Sequence, residues 1–210
     1  MRVLRVYHVG GAPDQRARER ALLEAGVEPT LVAPRTWPAA EDRDTAVEAF
    51  RVVKLDVVRP GDVNRHAYAE PRALRRVIRE LAPDVLDIHE EPFSVAARQW
   101  LAAAPPNLPI VMYTAQNVDK RLPPPFLGYE RRAHRRLAAL YPCSRQAAAV
   151  ARGKGFDGLI EVLPLGFDPE LFFPGTQSFD DDELTLAFFG RLVPEKGVRD
   201  AVRVLAATNA

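Results

Sequence analysis

The chain has 210 residues, 47% of them apolar, with 29 basic against 28 acidic side chains and a formal net charge of +1. That composition can bury a real core in one or two domains, while charges this balanced and interleaved give no field that would attract nucleic acid. A lone cysteine, Cys143, excludes an intrachain disulfide framework or a CxxC metal site and fits a reducing cytosol, and no uncharged apolar run reaches the roughly 20 residues of a membrane span.

The amino terminus, Met1-Arg2-Val3-Leu4-Arg5-Val6, alternates charge with apolar residues and is unlike the continuous apolar region of a signal peptide. Runs rich in Val, Ile, Leu and Tyr then alternate with stretches of Ala, Leu, Arg and Glu. Taken along the chain they predict a strand at 3–9, a helix at 14–25, and strands at 30–33 and 50–55. There follow a helix at 71–81, a strand at 85–89, a helix at 94–104 and a strand at 110–114. Last come a helix at 126–139, a strand at 140–143, a helix at 145–154 and strands at 160–163 and 184–189. Gly26 reads as a helix stop, Pro71 as a first-turn proline, and Ser94 and Ser144 as N-caps. Such alternation builds a Rossmann-like, doubly wound, mainly parallel α/β sheet. Between 166 and 182 the periodicity gives way to Pro, Gly, Ser and Asp, the mark of a linker. The expected organisation is therefore a domain over 1–165, a hinge over 166–182, and one βα unit over 183–210. That unit has too little apolar surface to close a sheet alone, so it is expected to join further chain, the first sheet or a partner chain.

In open α/β sheets, ligands meet the carboxyl ends of the strands, where backbone N–H groups and helix N-termini face an anion. Gly10-Gly11 follows the first strand, and reads equally as a loop that a phosphate approaches closely or as a tight turn needing glycine. Arg191 and Lys196 flank the turn after the last strand. They read either as two solvated charges or as a rigid guanidinium and a mobile ammonium converging on a diphosphate. His89, Glu90 and Glu91 end the strand at 85–89, where carboxylates could bond sugar hydroxyls. A metal fits them poorly, because the spacing is not HExxH and no second histidine is near in sequence; a packed or capping His89 is the stronger reading. Gln116, Asn117 and Lys120 follow the strand at 110–114, in a polar turn. The run Tyr129-Glu130-Arg131-Arg132-Ala133-His134-Arg135-Arg136 reads chiefly as a solvated helix face, with contact to an anionic membrane surface as the alternative.

Phe188-Phe189-Gly190-Arg191-Leu192-Val193-Pro194-Glu195-Lys196-Gly197 resembles the donor-site motif of glycosyltransferase family 4. The resemblance extends upstream through Ser144 to Ala148, Gly155, and Ile160-Glu161-Val162-Leu163-Pro164-Leu165-Gly166-Phe167-Asp168 to Phe172 and Pro174. It takes in Pro83-Asp84-Val85 to Pro92, and the Gly10-Gly11 loop. It implies the N-terminal half, plus the start of the second domain, of a retaining GT-B enzyme that moves a sugar from a nucleotide diphosphate to an acceptor. Arg191 and Lys196 would grip the diphosphate, with the Gly10-Gly11 backbone opposite, and no metal would be needed. His89, Glu90, Glu91, Asn117 and Lys120 would serve the acceptor. The sequence departs from the family at Gln116, where many members carry histidine; an amide does not titrate, but it can still orient a hydroxyl. The implied partners are a nucleotide sugar and a sugar, lipid-linked or small-molecule acceptor. The implied location is the cytoplasm, with peripheral membrane contact and oligomerisation through the incomplete unit as further options. The competing class is a non-catalytic acceptor-binding or partner-dependent half-enzyme. A dinucleotide enzyme ranks low, since the first turn lacks G-x-G-x-x-G.

Overall fold

In the computed structural model, which describes residues 1–38, 46–167, 169, 172–175, 186–190, 192 and 196–208, the chain opens with β1 (Arg2–Val6). A 3-10 turn at Pro13–Gln15, α1 (Ala17–Glu24), β2 (Glu28–Pro34) and β3 (Arg51–Leu55) follow, and then a hairpin of β4 (Val57–Val58) and β5 (Ala67–Tyr68). Helix and strand alternate from there: α2 (Pro71–Leu81), β6 (Val85–Ile88), α3 (Val95–Ala103), β7 (Ile110–Thr114), α4 (Phe126–Arg136), β8 (Ala139–Pro142), α5 (Arg145–Gly153) and β9 (Leu159–Ile160). Seven strands form one sheet in the order β3-β2-β1-β6-β7-β8-β9, every pair parallel. This is the doubly wound, Rossmann-like sheet that the alternation implies. Its winding runs outward from β1 through β2 to β3 on one side, and from β6 through β9 on the other, so the topological switch lies at the β1–β6 seam.

One face of the sheet carries the apolar core. Leu4, Val6, Leu86, Ile88, Ile110, Met112 and Leu140 alternate onto it and are fully buried. α2 meets them with Leu74, Val77 and Ile78, and α3 with Ala96, Ala97, Trp100 and Leu101, each set at the three-to-four-residue spacing of one helix face. The expected boundary signals are in place. Pro71 opens α2; the Ser94 and Ser144 hydroxyls accept the Ala97 and Ala147 N–H groups at 3.1 Å. α1 ends on Gly26 at φ +76°, whose N–H donates to the Leu23 carbonyl while that of Val27 donates to Leu22, satisfying two carbonyls the helix leaves open.

β1 stops at Val6, short of the expected residue 9, because the Gly10 N–H turns back onto the Tyr7 carbonyl at 3.1 Å. α4 ends at Arg136, since Leu137 is already extended and leads into β8. The β4–β5 hairpin has two residues per strand, too short for a period-two pattern to register.

The chain divides into the units Met1–Leu165 and Gly166–Ala210. In the second, residues 184 and 185 of the expected strand lie outside the described residues, and 186–189 form no strand. Leu186 and Phe189 are 50% and 92% exposed, and α6 (Val198–Thr208) has no buried residue. A single βα unit offers a strand no neighbour to pair with. Of the expected hinge, only residues 166, 167, 169 and 172–175 are described.

Two helix ends make opposite predictions. Ala82, the C-cap of α2, sits in the left-handed region at φ 40°, ψ 59°, where a Cβ is strained. Ala82→Gly should raise the urea unfolding free energy by about 1 kcal/mol and Gly26→Ala should lower it by a similar amount.

Candidate functional site

The β1–β6 seam ends in two loops: Tyr7 to Gly11 leaves β1, and His89 to Glu91 leaves β6. On the sheet face that α1 covers, Arg5 is 2% exposed and stands in register with Asp87 on β6. Its guanidinium donates to the carboxylates of Asp87 and Glu19, to the Tyr141 hydroxyl at 3.3 Å and to His89 Nδ1 at 3.1 Å, while the Tyr141 hydroxyl donates to Asp87. Desolvation opposes the Arg5 charge, yet Asp87, Tyr141 and Glu19 carry its pKa above the ordinary value. Burial, reinforced by Asp87, holds the Tyr141 phenol well above its usual range.

His89 closes this network. Its ring stacks on Tyr113 with centroids 4.0 Å apart and meets Tyr7 edge-on at 4.4 Å. Burial, with the Arg5 and Arg18 charges added, pushes its pKa down to about 2. The ring is therefore neutral, and because Arg5 donates into Nδ1, its proton sits on Nε2. His89 is packed into the sheet end, 7% exposed.

The opposite face holds the two glutamates. Glu90 is 2% exposed and accepts the backbone N–H of His8 at 3.0 Å and its ring Nδ1–H at 2.8 Å. Glu91 accepts the Thr114 hydroxyl at 2.7 Å and the Ala115 N–H at 2.8 Å. Burial raises its pKa against the pull of those bonds. Both carboxylates thus face inward and fix neighbouring strand ends: Glu90 ties β6 to β1, and Glu91 ties β6 to β7. Beside Glu91, half-buried Gln116 donates its backbone N–H to Thr114 Oγ1 at 3.2 Å. Asn117 and Lys120 are exposed on the same segment, where the Lys120 carbonyl accepts Lys154 Nζ.

Gly10 and Gly11 are buried, and the Arg16 guanidinium donates to their carbonyls at 2.8 and 2.9 Å. A Cβ at Gly10 would lie 3.0 Å from the Leu31 side chain and 3.2 Å from the Tyr7 carbonyl, so a larger residue there would have to displace Leu31 slightly. Of the second-unit residues, Lys196 is exposed before α6, and Arg191 lies outside the described residues. In the basic run, Glu130 and Ala133 are buried and Arg136 donates to the Pro105 and Leu108 carbonyls, leaving Arg131, Arg132 and Arg135 exposed.

Sequence reasoning therefore placed His89, Glu90, Glu91 and Gln116 at one sheet end, and there they meet. It missed Arg5, Asp87, Glu19, Tyr141 and His8. Arg5 and Asp87 carried a signal, since charges inside apolar strand runs need buried partners; Glu19, Tyr141 and His8 carried none. Among the described residues, no three His, Cys, Asp or Glu side chains converge as a metal site, and no helix is long and apolar enough to cross a membrane.

Residues 19–171 match the family model described as Glycosyltransferase Family 4. No curated protein matches the chain. Among solved structures it is similar to sucrose-phosphate synthase from Thermosynechococcus elongatus, at 14% identity and a TM-score of 0.60, over 83% of this chain and 50% of that one. It is similar to S. aureus MnaA solved with UDP, at 16% identity and 0.52, over 77% and 43%. A third likeness is to UDP-N-acetylglucosamine 2-epimerase from Rickettsia bellii, at 11% and 0.52, over 76% and 44%. At these identities the likeness is one of fold, and the chain spans half or less of each neighbour's length.

The depressed His89 pKa makes stability pH-dependent. An unfolded chain protonates this histidine near its ordinary value of 6.5 and the folded chain does so only near 2, so stability is full above 6.5 and falls as pH drops through that window. Burial shifts His66 and His134 in the same direction. Urea denaturation should show about 2 kcal/mol lost to His89 alone between pH 7 and pH 5, and His89→Gln should flatten that dependence.

Proposed function

The chain belongs to glycosyltransferase family 4, and we propose on that premise that it forms the acceptor-side half of an enzyme working across a GT-B pair of domains. The reaction is transfer of a sugar from a nucleotide-diphosphate sugar to a carbohydrate, lipid or metabolite acceptor, with retention at the anomeric carbon. The single observation that carries the reading is the family match over residues 19–171. The sheet supports it, because its switch point gathers buried polar residues where ligands of such sheets bind.

In this reading Arg191 and Lys196 hold the donor diphosphate. Negative charge gathers on the leaving diphosphate as the anomeric carbon becomes oxocarbenium-like, and preorganised cations lower that barrier without a metal. The Gly10-Gly11 backbone approaches the phosphates. Asn117 and Lys120 supply exposed polar groups to the acceptor, and the Gln116 amide orients the reacting hydroxyl in place of a titrating side chain. Glu90 and Glu91 serve the acceptor indirectly, by fixing the strand ends that carry these groups; His89 supports them as a neutral ring. The enzyme works in the cytoplasm, and the exposed arginines of α4 offer a peripheral contact with anionic lipid.

Assayed in the full-length protein with a nucleotide-diphosphate sugar, Arg191→Ala and Lys196→Ala should each lower turnover on the order of 100-fold or more. Near-normal turnover in both variants would remove these residues from the donor site, and failure of the protein to bind any nucleoside diphosphate would remove the donor site itself.

A further inference from the structure

His8 stands at the carboxyl end of β1, on the seam where the winding reverses. Its side chain is 17% exposed, and that of the carboxylate it touches, Glu90, is 1% exposed. Two bonds fix the residue, the backbone N–H to Glu90 Oε1 at 3.0 Å and ring Nδ1 to Oε2 at 2.8 Å. A carboxylate in this position only accepts, so the ring carries a proton on Nδ1, and in the neutral imidazole Nε2 is left with its lone pair. Nε2 makes no hydrogen bond among the described residues and is not one of the buried unsatisfied atoms, so it opens onto solvent. The ring is wedged against Trp37 at 4.8 Å, His66 at 5.7 Å and Tyr7 at 5.6 Å, which removes most of its rotational freedom. Behind it, His66 donates Nδ1–H to the Asp62 carbonyl at 3.1 Å and its Nε2 lies 3.9 Å from Glu90.

We propose that His8 is an acceptor-binding residue, its Nε2 taking a hydrogen bond from a hydroxyl group of a sugar or polyol acceptor, with Glu90 as the positioning residue that orients it. The assignment rests on the glycosyl-transfer reading above and adds to it the group that meets the acceptor at the seam. The chemistry selects a hydroxyl. A bare Nε2 needs a hydrogen donor, and the fixed negative charge of Glu90 directly behind the ring disfavours phosphate or carboxylate ligands. The buried Glu90 carboxylate is offset by the two N–H groups it accepts, and the ring bond among them holds the imidazole in the tautomer that leaves Nε2 without a proton.

The test is nitrogen-15 NMR of the histidine rings of the full-length protein, titrated with glucose, galactose, mannose and myo-inositol. At a pH where the ring is neutral, the free protein should show His8 protonated on Nδ1 and bare on Nε2, and at least one probe should move the Nε2 resonance while those of buried His66 and half-buried His134 stay in place. His8→Phe keeps an aromatic ring against Trp37 and Tyr7 but carries no ring nitrogen, and should weaken binding of that probe roughly 10-fold, the worth of one hydrogen bond. Glu90→Gln offers one oxygen to the two N–H groups that Glu90 accepts, so with that oxygen on the backbone N–H its NH2 faces Nδ1; the ring proton should move to Nε2, probe binding should weaken, and the melting temperature should fall as the seam loses a bond. A free His8 protonated on Nε2 overturns the proposal. So does a probe that binds without moving His8 and binds His8→Phe equally well. If none of the four probes binds while a nucleoside diphosphate does, this assignment fails and the donor reading stands. If neither class binds, the glycosyl-transfer reading fails with it.

Discussion

Much of the first unit hangs on one buried guanidinium. Removing Arg5 from water costs several kcal/mol, and the cost is offset only because Asp87, Glu19, Tyr141 and His89 surround it within hydrogen-bond reach. The bonds reach three structural levels. Asp87 joins β1 to β6, Tyr141 extends the link to β8, and Glu19 brings in α1. That helix has little else to offer the sheet: its one buried residue is Glu19, whereas α2 and α3 dock through full apolar faces. α1 thus adds a buried ion pair to half-buried Leu22 and Leu23, whereas α2 and α3 dock through the hydrophobic effect alone, so the two sides of one sheet differ in how far they depend on charge.

That arrangement decides what the strand ends can present. With Arg5 donating into it, His89 is denied a role in proton transfer at neutral pH and serves as a fixed ring wedged between Tyr7 and Tyr113. On the other face, Glu90 and Glu91 spend their lone pairs on His8, Thr114 and Ala115. The polar surface left over belongs to His8, Gln116, Asn117 and Lys120.

The fold was legible in the sequence wherever a physical period is long enough to be read. α2 spans its expected residues, because Pro71 fixes its start and Ala73, Leu74, Val77 and Ile78 mark one buried face. Ser94 and Ser144 announce their helices by local chemistry alone. The β4–β5 hairpin left no period, and residues 186–189 read as a strand because their composition suits one, although pairing needs neighbours that composition cannot supply. At the site, Glu90 and Glu91 were legible as positions and not as engagements. A carboxylate at a strand end looks the same in sequence whether it faces solvent or a histidine 82 residues away. His8 went unremarked for that reason.

The seam is gripped from both sides, by Arg5 and Asp87 on one face and by His8 and Glu90 on the other, and both pairs join residues 82 apart in the chain. Bringing such distant strands together carries a loop-closure entropy of about 4 kcal/mol before any contact rewards it. β1 with β2, and β6 with β7, close far smaller loops and can form early, each within its own winding half. The two halves then have to find each other, and the strands that do so are the ones carrying the side-chain grips. The strand ends that carry His8 and Glu90 therefore meet only when the seam closes, and the apolar core, which has Leu4 and Val6 on one side of it and Leu86 and Ile88 on the other, closes with them.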